Sequence, residues 1–476
     1  MVALAACGQA AAPTVAPAKT AEKPAEKPAA GQAPAAAKPV TSAGAPVTVS
    51  FSTQGNPQEL AMFENILKDF EAKNPKVKVD RKFDPSLTWE KVHVMLGAGT
   101  ASSVQRTNDD DIFLLMAQKV ITSLDNYVSK DMKRDDYFPS TWESRVGAGG
   151  EIGAITNGSS PMVIFYNVDH FKEAGLTPAT EWKNPWTFEQ FDQALEKLVR
   201  KDASGKVTRY AYSEDSWFVQ PLMVNNGAEP YNEDETECTL MKTPAAEEIL
   251  TWHQNLFTKR QVAMPYSENG TQLFNSGLVS MSIRQTSFAL AVKKDLNYDV
   301  MPIFKGKLKN LTENSERCFT IPASEKNKDE AWQLGLYLWG EDVQKIFLKT
   351  DYAVPMLKKV ALSTEAGDPN KVPKNGKIYP DGVAADVYTN NNPVGDDYQK
   401  WFSRTVNELT TGQKDPKTFL KERVDRLNQG LKDTAWNKKS GWVKGWAPGG
   451  NVPLLVKPTV VPGKEPAKAE PAKPKA

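Results

Sequence analysis

The sequence predicts an α/β fold with a largely parallel sheet, divided into two lobes, and two observations support this prediction. Short β-rich runs alternate with longer stretches of helical periodicity along most of the chain. The helical stretches also begin at recognisable capping residues. The alternation of strands and helices is typical of parallel sheets covered by helices, and its length is enough for two lobes.

The first such unit follows the N-terminal region. Residues Val47 to Phe51 alternate apolar and polar side chains, as in a strand. Residues Asn56 to Glu59 supply an N-cap, a proline at the first helical position and a capping glutamate. Asn74-Pro75 then ends the helix, and a second strand begins at Val77.

The same pattern returns later in the chain. Further helix starts are predicted at Thr187, Thr243-Pro244, Asp329 and Asp415-Pro416, each followed by apolar residues at helical spacing. Each helix can therefore cover one face of a sheet with an apolar stripe.

Composition excludes several classes of function. The 476 residues carry a formal net charge of +1, so there is no basic field for nucleic acid, and we expect no nucleic-acid partner. No apolar run approaches the roughly 18 residues of a membrane-spanning helix. With three histidines and no metal-ligand spacing, we expect neither a metal nor another cofactor.

The N-terminus resembles a bacterial lipobox. Leu4-Ala5-Ala6-Cys7 is a short apolar run of small residues before a cysteine, although the basic start and longer apolar run of a signal peptide are missing. We interpret residues 1–7 as a truncated lipoprotein signal and expect lipid on Cys7, which would anchor the protein at the extracellular face of the cell membrane or in the periplasm. A chance L-A-A-C sequence is the alternative.

Two low-complexity segments flank the globular region. Residues 8–46 consist largely of Ala, Pro, Lys, Glu and Gln, so we expect a disordered tether that lets a domain stand off the membrane. Residues 453–476 are rich in Pro and Lys and form a similar tail of unknown purpose. The remaining cysteines, Cys238 and Cys318, could form a disulfide or remain two isolated buried thiols.

Several separated segments match one family in the same order. They are Phe70–Pro75 with Val77–Val79, Met95–Gly99, Ile164–Leu176, Trp186–Phe191, Phe274–Met281, Ala331-Trp332 and Ala353–Pro355. On these segments the chain resembles the extracellular solute-binding proteins of ABC importers, in the class related to maltose-binding protein. It departs from the family at Ser102-Ser103, where relatives carry Pro-Asp, and at Gly153–Asn157.

The resemblance implies a two-lobed, type II periplasmic-binding-protein-like fold with three interlobe crossings, expected near Ser160, Asn297 and Val354. It assigns residues 47–160 and 298–352 to lobe 1, and residues 161–297 and 353–452 to lobe 2. A ligand would sit in the interlobe cleft at the carboxyl ends of strands, and hinge closure would present it to the transmembrane subunits of a permease. We expect the binding protein to act as a monomer.

A carbohydrate ligand would need aromatic faces together with carboxylate, amide and guanidinium groups. The candidate ligand residues are Gln54, Asp109, Asp110, Trp217, Phe218, Arg284, Phe288 and Tyr352. Most have a structural alternative: a turn at Gln54, helix-start acids at Asp109 and Asp110, core packing at Trp217-Phe218, a salt bridge at Arg284 and hinge packing at Tyr352. We expect no catalytic residues.

Other functions remain open. The same fold could bind a polyamine, a peptide or a phosphate ester, and a surface enzyme acting on glycans would also place carboxylates in a cleft. The sequence lacks the nucleophile, phosphate-loop and zinc-protease signatures that would favour an enzyme. A surface adhesin without a transport role is a third possibility.

Overall fold

The computed structural model describes residues 45–143, 146–147, 150–216, 218–309, 311–312, 314–363, 372–385, 394 and 404–434. The strands in this part of the chain are β1 Val47–Thr53, β2 Val77–Phe83, β3 Val104–Asn108, β4 Ile155–Asn167, β5 Arg200–Lys201, β6 Val207–Glu214, β7 Val279–Gln285, β8 Tyr298–Pro302 and β9 Asn314–Thr320.

Helices of varied length cover both faces of the strands. They are α1 Pro57–Lys73, α2 Trp89–Gly97, α3 Ile112–Ala117, α4 Asp125–Asp131, α5 Ser140–Glu143, α6 Val168–Glu173, α7 Phe188–Leu198, α8 Val219–Asn225, α9 Ala245–Thr258, α10 Gly270–Asn275, α11 Lys328–Leu338, α12 Glu341–Thr350, α13 Lys358–Ala361, α14 Ile378–Ala384, α15 (404–410) and α16 Pro416–Thr434.

The long strand β4 belongs to two sheets. Its first half, Ile155–Pro161, pairs with β9 and completes a first sheet of order β2-β1-β3-β9-β4. Its second half, Met162–Asn167, pairs with β7 and β8 in a second sheet that continues to β6 and β5. The chain therefore passes from one sheet to the other between Pro161 and Met162.

The strand directions bring the carboxyl ends of both sheets to this crossing. In the first sheet β1 and β3 are parallel, and both run in the direction of β4 because β9 is antiparallel to β3 and to β4. In the second sheet β7 is antiparallel to β4 and parallel to β6, so β6 and β7 end where β4 enters. Open α/β sheets bind ligands at such edges.

Each sheet has its own hydrophobic core. Phe51 lies 5.6 Å from Phe63 and 5.1 Å from Phe319, measured between ring centroids, in the first core. Phe191 stacks on Phe304 at 4.0 Å in the second core. The strand β4 contributes Ile155 to the first core and residues 162–166 to the second. Two cores joined by one strand make a two-lobed α/β fold, as predicted.

The predicted caps at Asn56, Thr187 and Asp415 are confirmed, whereas α9 and α11 begin at Ala245 and Lys328 without a side-chain cap. Asn56 and Glu59 form a reciprocal capping box at the start of α1, and Thr187 and Gln190 form another at the start of α7. At the start of α16 the Asp415 carboxylate accepts a hydrogen bond from the backbone N–H of Thr418 at 3.0 Å. These contacts satisfy backbone donors that have no partner within the first helical turn.

The predicted crossing near Asn297 is wrong in its position. Strand β8 pairs with Val163–Asn167 of β4 in the second sheet, and the next strand along the chain, β9, lies in the first sheet. The chain therefore changes sheets between Pro302 and Asn314. The full burial of Val300 and Met301 in the second core agrees with this position. Residues 298–302 thus belong with lobe 2 rather than lobe 1.

The predicted count of three crossings and the other lobe boundaries stay predictions. Near the third position, Val354 and Ser159 exchange backbone hydrogen bonds of 2.8 and 3.0 Å, which ties this segment to β4 just before it leaves the first sheet.

Cys238 and Cys318 are both buried and are not joined in a disulfide, so they are two separate thiols. Burial raises the pKa of the Cys238 thiol to about 11, which keeps it protonated and unreactive near neutral pH. Among the described helices, none has the length and apolar character needed to span a membrane.

Candidate functional site

The candidate site lies where the carboxyl ends of β1, β3, β6 and β7 meet at the crossing of β4. We call this region the interlobe site and define it by Gln54, Asp109-Asp110, Ser160, Asp215 and Arg284–Thr286. These residues come from distant parts of the sequence and from both sheets.

Gln54 directly follows β1 on the first-lobe side. Its backbone carbonyl accepts a hydrogen bond from the Arg106 guanidinium at 2.5 Å, and Arg106 in turn lies 5.7 Å from the Trp89 ring. The Gln54 side-chain oxygen Oε1 is buried and has no hydrogen-bond partner within the described residues. This oxygen is therefore a hydrogen-bond acceptor at the end of a strand that a ligand could use.

The acidic turn Asp109–Asp111 follows β3 and leads into α3. Asp109 and Asp110 are half-buried, and the Asn108 amide donates to the Asp110 carboxylate at 3.4 Å. Asp111 is fully buried, and its carboxylate lies 2.8 Å from Nε2 of His93 on α2. The contact between Asp111 and His93 therefore fixes the turn, and the carboxylates of Asp109 and Asp110 lie at the edge of the first sheet.

The crossing strand contributes Ser160. This residue is the last before Pro161, at the passage from one sheet to the other, and only 1% of its surface is exposed. Its hydroxyl has no partner within the part of the chain that the structure describes. A buried hydroxyl without a hydrogen bond costs free energy unless a ligand or water satisfies it.

On the second-lobe side, Asp215 follows β6 and Arg284 lies near the end of β7. The Arg284 guanidinium is 3.0 Å from the Asp215 carboxylate. Burial raises the pKa of Asp215 above its usual range, and the positive charge of Arg284 counteracts that rise. The pair places a hydrogen-bond acceptor and a planar donor side by side at the interlobe edge.

Phe288 and Thr286 follow Arg284 in a short 3-10 turn. Phe288 is half-buried and packs edge-to-face on Phe165 with ring centroids 5.0 Å apart, while the Arg284 guanidinium lies 5.8 Å from the Phe288 ring. Thr286 is 3% exposed, and its hydroxyl has no partner among the described residues. Phe288 therefore packs partly against the core and remains partly exposed, so its ring could still contact a ligand.

A buried polar cluster lies behind Asp215. The Glu214 carboxylate accepts a hydrogen bond from the Tyr266 hydroxyl at 2.6 Å and lies 2.5 Å from Nε2 of His253. Burial, with the nearby Glu214 charge, raises the pKa of Tyr266 well above its usual range, so its hydroxyl remains a donor. The cluster fixes the end of β6 and therefore the position of Asp215.

Two of the predicted ligand residues are core residues instead. Phe218 is fully buried in the second core, with its ring 6.0 Å from that of Phe304. Tyr352 is 1% exposed in the first core and packs 5.6 Å from Phe63. Burying a large aromatic side chain stabilises the folded protein more than leaving it exposed to solvent, which accounts for the packing of both residues in the cores.

Two other predicted residues lie outside the described part of the chain. These are Trp217, expected to stack on a ligand, and Cys7, expected to carry lipid. Both stay predictions.

Sequence reasoning missed Asp215, Ser160 and Thr286. The signal for Asp215 was present, since a carboxylate follows the β-rich run that ends at Glu214. A crossing was expected near Ser160, but no signal marks the side chains of Ser160 and Thr286, because serine and threonine are common in strands. Only the structure shows that their hydroxyls are buried without partners among the described residues.

The site can form hydrogen bonds with both donor and acceptor groups of a ligand. It offers carboxylate and amide acceptors, a guanidinium donor, and hydroxyls that can both donate and accept. Within the described residues, no group of three or more His, Cys, Asp or Glu side chains is placed to hold a metal ion.

Comparison with known proteins agrees with the geometry. A protein of Brucella abortus (strain 2308) described as a binding protein is 23% identical over 382 residues, covering 78% of this chain and 90% of that protein. An ABC substrate-binding protein from Listeria monocytogenes in complex with cycloalternan has a TM-score of 0.71 at 18% identity and covers 81% of this chain and 99% of that one.

UgpB from Mycobacterium tuberculosis in complex with glycerophosphocholine has a TM-score of 0.69 at 15% identity and covers 82% of this chain and 99% of that one. Similar folds thus hold different solutes. The family model described as bacterial extracellular solute-binding protein matches residues 54–345, more than half of the chain. The chain belongs to this family, the bacterial extracellular solute-binding proteins.

Proposed function

We propose that the protein captures a carbohydrate in the interlobe site and delivers it to the transmembrane subunits of an ABC transporter. As a member of its family it is a binding protein and not an enzyme. The observation that carries the proposal is a set of buried, neutral polar atoms without partners among the described residues: Oε1 of Gln54, Oγ of Ser160 and Oγ1 of Thr286. A ligand rich in hydroxyl groups would satisfy all three.

The paired charges on the second-lobe side of the site also suit a neutral ligand. Asp215 and Arg284 neutralise each other at 3.0 Å, so neither presents an uncompensated charge. A sugar hydroxyl can donate to the carboxylate and accept from the guanidinium at the same time. A phosphate ester would instead meet the carboxylates of Asp109 and Asp110 beside this neutralised pair, which disfavours an anion. A polyamine could pair with those two carboxylates, so it is the alternative ligand that the binding experiment below includes.

Aromatic stacking would complete the recognition. Trp217 follows Asp215 by two residues, and Phe288 presents a half-buried ring beside Arg284. Flat aromatic faces suit the C–H faces of a sugar ring. In this proposal Trp217 provides the main stacking surface and Phe288 a second contact.

Closure of the lobes would couple binding to delivery. The Glu90 carboxylate on α2 lies 2.9 Å from the Arg404 guanidinium on α15, and Phe113 of α3 packs into the second core. A ligand that contacts both lobes prefers the closed form, and its binding energy shifts the equilibrium towards that form. The closed form would then be the one presented to the transporter.

The lipid anchor is part of the same proposal. Lipid on Cys7 and a tether of residues 8–46 would hold the protein at the extracellular face of the membrane, within reach of its transporter. We expect the Cys7→Ser variant to be released from the membrane fraction, and light scattering to give the mass of a monomer. Retention of that variant in the membrane fraction would contradict the anchor.

Native mass spectrometry of freshly purified protein, followed by calorimetric titration with mono- and oligosaccharides, tests the choice of ligand. We expect a co-purified or titrated carbohydrate that binds at one site with no change in its own mass. Glycerophosphocholine and spermidine serve as phosphate-ester and polyamine controls. Binding of either control with no response to any carbohydrate would overturn the assignment.

A further inference from the structure

A cavity lies at the first lobe, outside the residues that define the interlobe site. Its volume is about 440 Å³, within the range of small-molecule pockets. We call it the hinge-side cavity, and its lining residues are Arg134, Asp135, Tyr137, Pro139, Trp142, Val146, Gly150, Ile152 and Lys358. It shares no residue with the interlobe site.

The cavity is lined both by the first lobe and by the segment that follows Val354. The backbone of Tyr137 pairs with that of Leu357, and the Phe138 N–H donates to the Met356 carbonyl at 3.2 Å. Lys358 is the next residue along the same segment, and Val354 itself bonds to Ser159 on the crossing strand. A molecule in the cavity would therefore touch a segment tied to the hinge.

Two cations face the cavity, and neither has a carboxylate of a described residue within hydrogen-bonding distance. The nearest carboxylate to Arg134 is that of Asp125 at 3.9 Å, longer than a hydrogen bond. The Lys358 ammonium donates to the backbone carbonyl of Asp135 at 3.0 Å, and no salt bridge between described residues involves Lys358. Among the described lining residues there are thus two positive charges, those of Arg134 and Lys358, and one negative charge, that of Asp135.

The remaining wall is aromatic and rigid. Trp142 donates its indole N–H to the Arg134 carbonyl at 3.3 Å, and its ring meets that of Tyr137 edge-on at 5.5 Å. Trp339 supports it from the core at 5.4 Å. The Arg134 guanidinium lies 5.5 Å from the Trp142 ring. A cation held beside a fixed aromatic wall suits a ligand with both a negative charge and a flat apolar part.

We propose that the hinge-side cavity binds a small organic anion with a flat apolar body, of the aromatic carboxylate class. Arg134 and Lys358 bind the carboxylate from two chain segments, and Tyr137 with Trp142 contacts the ring. Such a ligand bridges the first lobe and the segment after Val354. This site is independent of the carbohydrate site.

The test follows 4-fluorobenzoate by fluorine NMR during titration of the full-length protein. We expect Arg134→Gln and Lys358→Gln each to weaken binding about tenfold, because each removes a charge-assisted contact. We expect Asp135→Asn to tighten binding, because it removes the one opposing charge. The control Lys359→Gln removes an equal charge from the next residue, which pairs with Glu341, and should leave binding unchanged.

The opposite responses of these variants separate the proposal from non-specific association. Neutral 4-fluorobenzyl alcohol should bind more weakly than the anion and should be insensitive to all the charge variants. The proposal is overturned if 4-fluorobenzoate shows no saturable binding. It is also overturned if Asp135→Asn weakens binding, or if Lys359→Gln weakens it as much as Lys358→Gln does.

Discussion

Replacing Thr286 by valine should change stability and ligand affinity in opposite directions for the same physical reason. The Thr286 hydroxyl is buried, with 3% of the residue exposed, and has no partner among the described residues. An unsatisfied buried hydroxyl costs about 1–3 kcal/mol. Valine has nearly the same shape without that group. We therefore expect the unliganded Thr286→Val variant to be more stable by about 1 kcal/mol, or about 2 °C in melting temperature.

The same change removes a hydrogen bond to the bound carbohydrate. A neutral hydrogen bond contributes about 1 kcal/mol, and the ligand hydroxyl would be left unpaired beside a methyl group. We expect the dissociation constant to rise about tenfold. Differential scanning fluorimetry measures the first effect, and calorimetric titration measures the second.

Thr141 on α5 provides a matched control. It is fully buried, and its hydroxyl likewise has no partner among the described residues, but it lies outside the interlobe site. Thr141→Val should raise the melting temperature by a similar amount and leave the dissociation constant unchanged. A Thr286→Val protein that is destabilised and binds carbohydrate normally would refute the reasoning.

Three further predictions concern the fold and closure. His253→Ala should lower the free energy of unfolding by about 3 kcal/mol, because it removes a hydrogen-bond partner of the buried Glu214 carboxylate and leaves the Tyr266 hydroxyl to satisfy it; a loss below about 1 kcal/mol in chemical denaturation would contradict this. Burial lowers the pKa of His170 to about 4, below the ~6.5 of a free imidazole. As pH falls from 7 towards 4, the unfolded chain therefore binds a proton at His170 and the folded chain does not. Stability should fall over that window, and the melting temperature of His170→Gln should fall less than that of the wild type. Arg404→Gln removes the exposed pair with Glu90 across the lobes; it should raise the dissociation constant by less than about threefold, and the difference should vanish in high salt.

Much of the fold could be predicted because local signals carry it. The capping box of Asn56 and Glu59 depends on neighbouring residues, and the apolar stripe of α1 depends on its period. These features need no knowledge of distant contacts, so the helix was predicted at its observed start. The lobe membership of β8 could not be predicted in this way, because alternation marks a strand without naming its partner.

The site was harder to predict for the same reason. Asp109 could be proposed because it follows a strand-like run, and Arg284 because it follows the Phe274–Met281 segment of the family resemblance; both stay candidates. Phe218 and Tyr352 were misassigned because an aromatic residue in a predicted loop can face either the core or a ligand, and only packing decides. Ser160 matters through its burial at the crossing, which depends on pairing between residues far apart in sequence.

Hydrogen–deuterium exchange with and without a saturating carbohydrate tests the central claim, that solute binds between the carboxyl edges of the two sheets. We predict simultaneous protection of segments from both lobes: residues 53–56 and 107–111 on one side, and residues 214–216 and 284–288 on the other. Protection confined to one lobe, or centred on residues 134–142 at the hinge-side cavity, would contradict the account.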